Sequence, residues 1–292
     1  MNTKLQSKGE TAFSITNYIL LLLVILICLI PVVNLVAKSF SDEASILAGD
    51  VFLWPINFNV DAYDVVLNSQ RFLVSFQNSI IITVTGTILN VLLTIFTGYA
   101  LSRSRLRGAK AIMMLYVFTM LFSAGIIPTY LIIKELGLLN SLWALILPSL
   151  VSPFNMIIVR LYFYGIPDSL EESAKMDGAG NLRILFQIMI PLAYPVIATI
   201  ALFCAVEYWN SYFDALMYIN DSGRLPLQVF LREMLMSVSD ATSNIDMLSS
   251  ADVPQEAIRG ATVVAATLPI VIVYPFLQRF FVKGMVLGAV KG

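Results

Sequence analysis

The amino-acid sequence predicts an all-α, polytopic membrane protein with six transmembrane helices. Hydrophobic residues make up 58% of the 292 residues and charged residues only 13%, whereas about a quarter of the residues in a soluble domain are charged. A helix needs roughly 18 mainly apolar residues to cross a bilayer, and six windows of the sequence meet that requirement. The predicted fold is therefore a bundle of membrane-spanning helices.

The six predicted spans lie in chain order at residues 18–37, 78–101, 111–133, 142–163, 192–217 and 261–281. The first is interpreted as a retained span and not as a cleaved signal. Its apolar core is longer than the roughly 7 to 15 residues of a secretory signal, and the sequence LVAK at residues 35–38 is a poor cleavage site.

Basic residues fall mainly on one side of the predicted bundle. When six spans alternate in direction, about twelve of the eighteen Lys and Arg residues lie on the same side as Lys4 and Lys8. Because cytoplasmic loops are enriched in Lys and Arg, this side is interpreted as cytoplasmic, and both termini are expected there. The opposite side carries two long polar loops, at residues 38–77 and 218–260.

Several functional classes are disfavoured by what the sequence lacks. It contains no His, the commonest general base and metal ligand, so we expect neither catalytic residues nor a metal site. It has no G-x-x-x-x-G-K-[ST] phosphate-binding loop, so ATP hydrolysis by the chain itself is not expected. Its net charge of −1 gives no reason to expect a nucleic-acid partner.

A polar segment interrupts the apolar chain between the fourth and fifth spans. Residues 167–191 begin and end with Pro, and the predicted topology places this loop in the cytoplasm. Ser169 and Glu172 have the spacing of a capping box, which predicts that a helix begins there. Gly178 favours the left-handed conformation that ends helices, so the helix is expected to stop at about Asp177.

A second short helix is predicted after Gly178. Asn181 is the expected N-cap, and the expected apolar stripe comprises Leu182, Leu185, Phe186 and Met189. The first helix, of about nine residues, is too short to be stable alone in water, so it is expected to pack against something. Its acidic character disfavours an anionic lipid surface, and a protein partner is expected.

The same loop resembles the motif of a known family. Its pattern is Glu172-Ser173-Ala174, three residues, Gly178, nine residues, Ile188, one residue and Ile190-Pro191. This is similar to the E-A-A-x3-G-x9-I-x-L-P motif of ABC importer permeases, with Ser173 and Ile190 as departures. The resemblance implies the type I ABC importer permease fold and a coupling helix that docks on an ATP-binding subunit. The residues that it implies for ATPase coupling are Glu171, Glu172, Ser173, Ala174, Asp177, Gly178, Ala179 and, in the C-terminal tail, Lys291.

The resemblance covers about residues 73–292 and extends to the carbohydrate-uptake permeases of the maltose-permease type. Three segments carry it: NSIIITVTGTILNVLLTIFTGYALSR, IPTYLIIKELGLLNSLWALILP and QRFFVKGMVLGAVKG. The stretch LPLQVFLREML resembles sequences of the branch of these permeases that handles complex or acidic oligosaccharides. The resemblance implies a permease core at residues 73–292, whereas residues 1–72 hold the N-terminal tail, the first span and an outer loop.

The family also implies a set of partners and a location. The expected partners are a second homologous permease subunit, two ATP-binding subunits, an extracytoplasmic solute-binding protein, a carbohydrate solute and membrane lipid. ATP and Mg would be bound by the partner ATPases, and no cofactor is expected on this chain. The expected location is the bacterial cytoplasmic membrane.

The fifth span contains an unusually polar and aromatic run, EYWNSYFD at residues 207–214. In a continuous helix its polar residues recur at i, i+3, i+4 and i+7 and form one face. Sugar sites combine aromatic rings with a few amide or carboxylate groups, so this face is interpreted as the wall of a solute pathway. An aromatic belt at the membrane interface is the alternative interpretation. The candidate pathway residues are Asn155, Glu207, Trp209, Asn210, Ser211, Tyr212 and Asp214.

Taken together, the sequence predicts a permease subunit of an ATP-driven importer of carbohydrate, in the form of oligosaccharide. One alternative is an ABC permease for a solute other than sugar. Another is an ion-coupled secondary transporter, which is disfavoured because Glu207 and Asp214 are the only carboxylates inside the predicted spans and such carriers keep several ionisable groups there. A membrane enzyme is disfavoured because no acid-base or nucleophile cluster lies in the spans.

Overall fold

The computed structural model describes residues 8–103, 106–122, 124–236 and 254–289. Within these ranges every regular element is a helix, which confirms the all-α prediction. A π-helix covers Leu185–Met189, and a 3₁₀-helix covers Ser222–Arg224. The α-helices are α1 (Lys8–Ser39), α2 (Glu43–Ala48), α3 (Asp61–Asn68), α4 (Gln70–Ser102), α5 (Ala109–Leu121), α6 (Ile126–Glu135), α7 (Trp143–Ile146), α8 (Pro153–Tyr164), α9 (Asp168–Met176), α10 (Asn181–Ile184), α11 (Ile190–Leu192), α12 (Tyr194–Trp209), α13 (Phe213–Tyr218), α14 (Leu227–Met236) and α15 (Gln255–Ala289).

Three helical segments in the described residues are long and apolar enough to cross a membrane. They are Gly9–Ser39, Gln70–Ser102 and Gln255–Val273. Two bent pairs raise the number to five if each pair forms one span: α5 with α6 at 115°, and Asn181–Leu192 with Tyr194–Trp209 at 84°. The predicted count of six spans is therefore not confirmed.

The predicted fourth span, residues 142–163, is not one helix. α7 and α8 are separated by a non-helical stretch that contains Pro148, which has no N–H to donate and interrupts a helix. Ser152 then caps α8 with its side chain. Asn90 of α4 donates to the carbonyl of Ser149 at 2.8 Å, so a backbone group in the break is paired inside the protein, as burial requires.

The larger compact unit comprises Gln70–Glu233 and Thr267–Gly292. Its central helix is α4, which packs along both α8 and α12. Gly86 makes the approach of α12 possible, because a Cβ atom there would lie 2.7 Å from the ring of Tyr208. Gly98 faces α8 in the same way, because a Cβ atom there would lie 3.0 Å from the nearest side chain of α8. Small residues thus set the spacing of the helices around α4.

The smaller unit comprises Met1–Ser69 and Met234–Ala266. Lys38 and Glu256 form an ion pair at 2.6 Å, and a Cβ on Gly260 would lie 2.8 Å from a backbone oxygen of α1. No residue in the most apolar window of α1 is buried within the chain, so this helix exposes its apolar surface. The predicted division after residue 72 stays a prediction.

Candidate functional site

The polar loop at residues 167–191 contains a short, largely exposed helix, α9. A Schellman motif closes it: the N–H of Gly178 donates to the Lys175 carbonyl at 3.0 Å, and the N–H of Ala179 donates to the Ala174 carbonyl at 2.9 Å. Gly178 has a φ of 79°, which confirms the predicted left-handed conformation. A Cβ at Gly178 would meet no atom within 4 Å, so its backbone conformation, and not a lack of space, favours glycine here.

The start of α9 differs from the predicted capping box. The helix begins at Asp168 after Pro167, and no side chain caps it. The carbonyl of Ser169 accepts the hydroxyl of Ser173 at 2.8 Å, and Glu172 is exposed. The prediction was wrong because Pro167, with φ of −57° and an extended ψ of 133°, ends the preceding turn and lets the helix begin directly after it.

Arg103, the first residue after α4, joins α9 to α4 through ion pairs. Its Nη1 lies 3.0 Å from Asp168 Oδ1, and its Nε lies 2.9 Å from Glu171 Oε2. Lys175 Nζ lies 2.5 Å from the other oxygen of Glu171. Glu171 is only 8% exposed, so its carboxylate faces this cluster and not the surface of α9.

The exposed face of α9 carries most of the other residues that the family motif implies. Ala174 and Ala179 pack against the hydrophobic core. Lys291 lies outside the described residues. Met176, which is 88% exposed, was not predicted from the sequence. It could have been found from its position four residues after Glu172 on a helix with few apolar residues. The exposed motif residues are Glu172, Ser173, Asp177 and Gly178.

The second helix of the loop differs from its prediction in start and in buried face. α10 begins at Asn181 with Gly180 as its N-cap, so Asn181 is not the cap. The π-helix that follows has wider turns, which shift the register of the side chains. Half of the predicted stripe is therefore wrong, since Leu182 is 66% and Phe186 is 50% exposed. The buried residues are Ile184, Leu185 and Met189.

The predicted fifth span, residues 192–217, is interrupted at residues 210–212, between α12 and α13. The polar residues of this run therefore do not form one continuous helical face, and that part of the prediction was wrong. The break nevertheless brings five candidate residues around one cavity of about 210 Å³. They are Glu207, Asn210, Ser211, Tyr212 and Asp214.

The cavity combines hydrogen-bonding groups with an aromatic ring. Its two carboxylates accept hydrogen bonds, while its amide and hydroxyl groups both donate and accept. Two residues of α14 that the sequence reasoning missed lie next to it. Gln228 Nε2 is 3.5 Å from Asn210 Oδ1, and the guanidinium of Arg232 lies 4.7 Å from the ring centre of Tyr212. Their signal in the sequence is their i, i+4 spacing on an amphipathic helix.

Trp209 and Asn155 do not line this cavity. Trp209 packs edge-on against Phe76, with 6.0 Å between the ring centres, and lines a separate apolar pocket of about 170 Å³. Asn155 is buried, and its Nδ2 lies 3.5 Å from the sulfur of Cys204. A role for either residue in a solute pathway stays a prediction. Across the described ranges, no three His, Cys, Asp or Glu side chains lie close enough together to hold a metal ion.

Comparison with known proteins decides the family. The model of the family described as "Binding-protein-dependent transport system inner membrane component" matches residues 12–287. The chain belongs to this family. The permease is 44% identical over 281 residues, 96% of its own chain and 98% of the relative, to the polygalacturonan/rhamnogalacturonan transport system permease protein YtcP of Bacillus subtilis (strain 168).

Two further similarities cover nearly the whole permease. It is 43% identical over 292 residues, 100% of its chain and 99% of the relative, to protein LplC of Bacillus subtilis (strain 168). Its fold matches a chain from the crystal structure of a bacterial ABC transporter involved in the import of the acidic polysaccharide alginate. That match has a TM-score of 0.90 and 36% identity, and it covers 96% of the permease and 100% of the other chain. The predicted resemblance to ABC importer permeases is confirmed.

Proposed function

We propose that this permease is a transmembrane subunit of an ATP-binding-cassette importer that takes up oligosaccharide. Hydrolysis of ATP on partner subunits would drive the permease between inward-facing and outward-facing states, and this chain itself would catalyse no reaction. The observation that carries the proposal is α9, a short helix that leaves Met176 88% exposed and is held in place by ion pairs to Arg103. Methionine is enriched at protein–protein interfaces, so an exposed Met176 on an otherwise polar helix suits a docking surface.

The docking partner that fits α9 is an ATP-binding subunit. The exposed face of α9 is formed by Glu172, Ser173, Met176 and Asp177. The left-handed turn at Gly178 fixes the C-terminal end of that face. This loop and both termini would lie in the cytoplasm, where ATP is available, and the enrichment of Lys and Arg on that side of the predicted bundle supports this orientation. The assembly would contain two such ATP-binding subunits with their ATP and Mg, together with a second homologous permease.

The solute pathway that fits the structure passes the cavity of about 210 Å³ whose lining includes Glu207, Tyr208 and residues 210–214. Its carboxylate, amide and hydroxyl groups bind sugar hydroxyls, and the ring of Tyr212 offers a stacking surface. A carbohydrate solute also agrees with the named substrates of similar proteins, polygalacturonan in one case and alginate in the other. An extracytoplasmic binding protein would deliver the oligosaccharide, in agreement with the family description of a binding-protein-dependent transport system. The complex would lie in the bacterial cytoplasmic membrane.

Affinity purification from the native membrane tests the assembly. The tagged permease, extracted in mild detergent, should bring a homologous permease and an ATP-binding subunit with it. The purified complex should hydrolyse ATP faster when an oligosaccharide-loaded binding protein is added. Recovery of the permease alone in several detergents would contradict the proposal and favour a self-contained carrier. Stimulation by a binding protein loaded with an amino acid, and not by one loaded with sugar, would favour a different solute.

A further inference from the structure

The cluster around Arg103 provides a connection between α9 and the membrane that does not follow the backbone. Along the chain, α9 is attached to α8 at one end and to α10 at the other. Arg103 lies 65 positions before Asp168, at the end of α4. Its ion pairs therefore tie α9 directly to a helix of 33 residues that is long enough to cross a membrane.

The guanidinium of Arg103 is enclosed by groups from three elements. It contacts the two carboxylates of α9, lies 5.1 Å from the ring centre of Tyr99 in α4, and places Nη2 3.3 Å from the sulfur of Met189 in the π-helix. Its side chain is 15% exposed and that of Glu171 is 11% exposed. Ion pairs that are partly removed from water are screened less than surface pairs. The planar guanidinium fixes the direction of its contacts more strongly than an ammonium group would.

α4, the helix directly before Arg103, also reaches the cavity. Gly86 of α4 lies against Tyr208, so closely that a Cβ atom there would be 2.7 Å from the ring. Tyr208 lines the cavity beside Glu207 and Asn210. Packed contacts therefore run from α9 through Arg103 and α4 to the cavity wall. Since packed cores shift between discrete arrangements and do not deform continuously, a displacement of α9 that is carried into α4 changes the cavity.

From this geometry we infer that Arg103 is a positioning residue for energy coupling, which transmits the movement of α9 into α4. The inference rests on the proposed function, in which an ATP-binding subunit moves α9. Without the Arg103 cluster, α9 still docks and ATP is still hydrolysed, but less of the movement reaches α4. The expected result is a lower number of sugar molecules transported per ATP hydrolysed.

The test measures that ratio for the complete complex in proteoliposomes. Arg103→Gln should lower it at least fivefold, and Arg103→Lys, which keeps the charge but not the planar fork, should lower it less. Glu171→Gln should lower it as well, and the double variant should lower it by less than the product of the two single effects, because both changes break the shared pair between Arg103 and Glu171. Arg107→Gln is the matched control, since Arg107 is an exposed arginine in the same segment.

The number of sugar molecules transported per ATP hydrolysed distinguishes a role of Arg103 in coupling from a role in folding. A purely structural role for Arg103 would reduce the amount of assembled complex and would leave the transport per ATP unchanged. A wild-type ratio in Arg103→Gln, or effects of the two single variants that simply multiply in the double variant, would overturn the inference. If Arg103→Gln does not assemble, Arg103→Lys decides: a lowered ratio supports the inference and a wild-type ratio overturns it. Absence of ATP-dependent uptake by the wild-type complex would instead contradict the proposed function.

Discussion

Gly178→Pro tests the role of the closing turn of α9. Proline fixes φ near −65°, whereas Gly178 has a φ of 79°, and it removes the N–H that donates to the Lys175 carbonyl. The Schellman motif then loses both of its hydrogen bonds, each of which contributes about 1 kcal/mol net. A loss of about 2 kcal/mol lowers the population of the native turn roughly 30-fold. The docking end of α9 is then no longer presented in its native form.

We expect Gly178→Pro to lower transport per ATP about tenfold or more while the protein still inserts into the membrane. The assay is uptake of labelled oligosaccharide and ATP hydrolysis by the same purified complex. Gly137→Pro is a matched control, because Gly137 has a φ of 69°. Its N–H and that of Leu138 make the same pair of bonds, both at 3.0 Å, at the end of α6. Normal coupling in Gly178→Pro, or equal losses in the two variants, would refute the reasoning.

Three further substitutions probe the docking surface, the cavity and the packing of α4. Met176→Gln should weaken binding of the ATP-binding subunit roughly 30-fold, because burying a methionine contributes about 2 kcal/mol. Calorimetric titration measures this binding, and it should show no such loss for the control variant Met236→Gln. Asn210→Ala should raise the oligosaccharide concentration needed for half-maximal uptake, with the ATP-binding subunit still copurifying at the wild-type ratio. Gly86→Ala should destabilise the permease by about 1 to 3 kcal/mol, because the new Cβ atom meets the ring of Tyr208. Thermal unfolding in detergent measures that loss of stability. An unchanged unfolding midpoint would contradict the tight packing of Gly86 against Tyr208.

Features that depend on neighbouring residues in the sequence could be predicted. The left-handed turn at Gly178 was predicted because few other residues tolerate that conformation, and the helical membrane class follows from composition. The capping box at Ser169 was predicted wrongly, although it is also a local pattern. Pro167 competes with it for the same helix start, and the motif alone does not decide between them.

Features that depend on tertiary structure could not be predicted. Pro148 is a local signal for a break, but residues 142–163 and residues 192–217 both have the apolar composition of a continuous span. Backbone groups in such a break need partners from elsewhere in the chain, such as Asn90. The pairing of Arg103 with Glu171 likewise joins residues far apart in sequence. Periodicity within one helix carries no information about either contact.

Uptake into proteoliposomes tests the central claim most directly. The permease is reconstituted with its second permease and ATP-binding subunits, with ATP inside the vesicles and an oligosaccharide-loaded binding protein outside. The account predicts that labelled oligosaccharide accumulates only when ATP and this permease are both present. Accumulation that an ion gradient drives without ATP, or none with every component in place, would contradict the account.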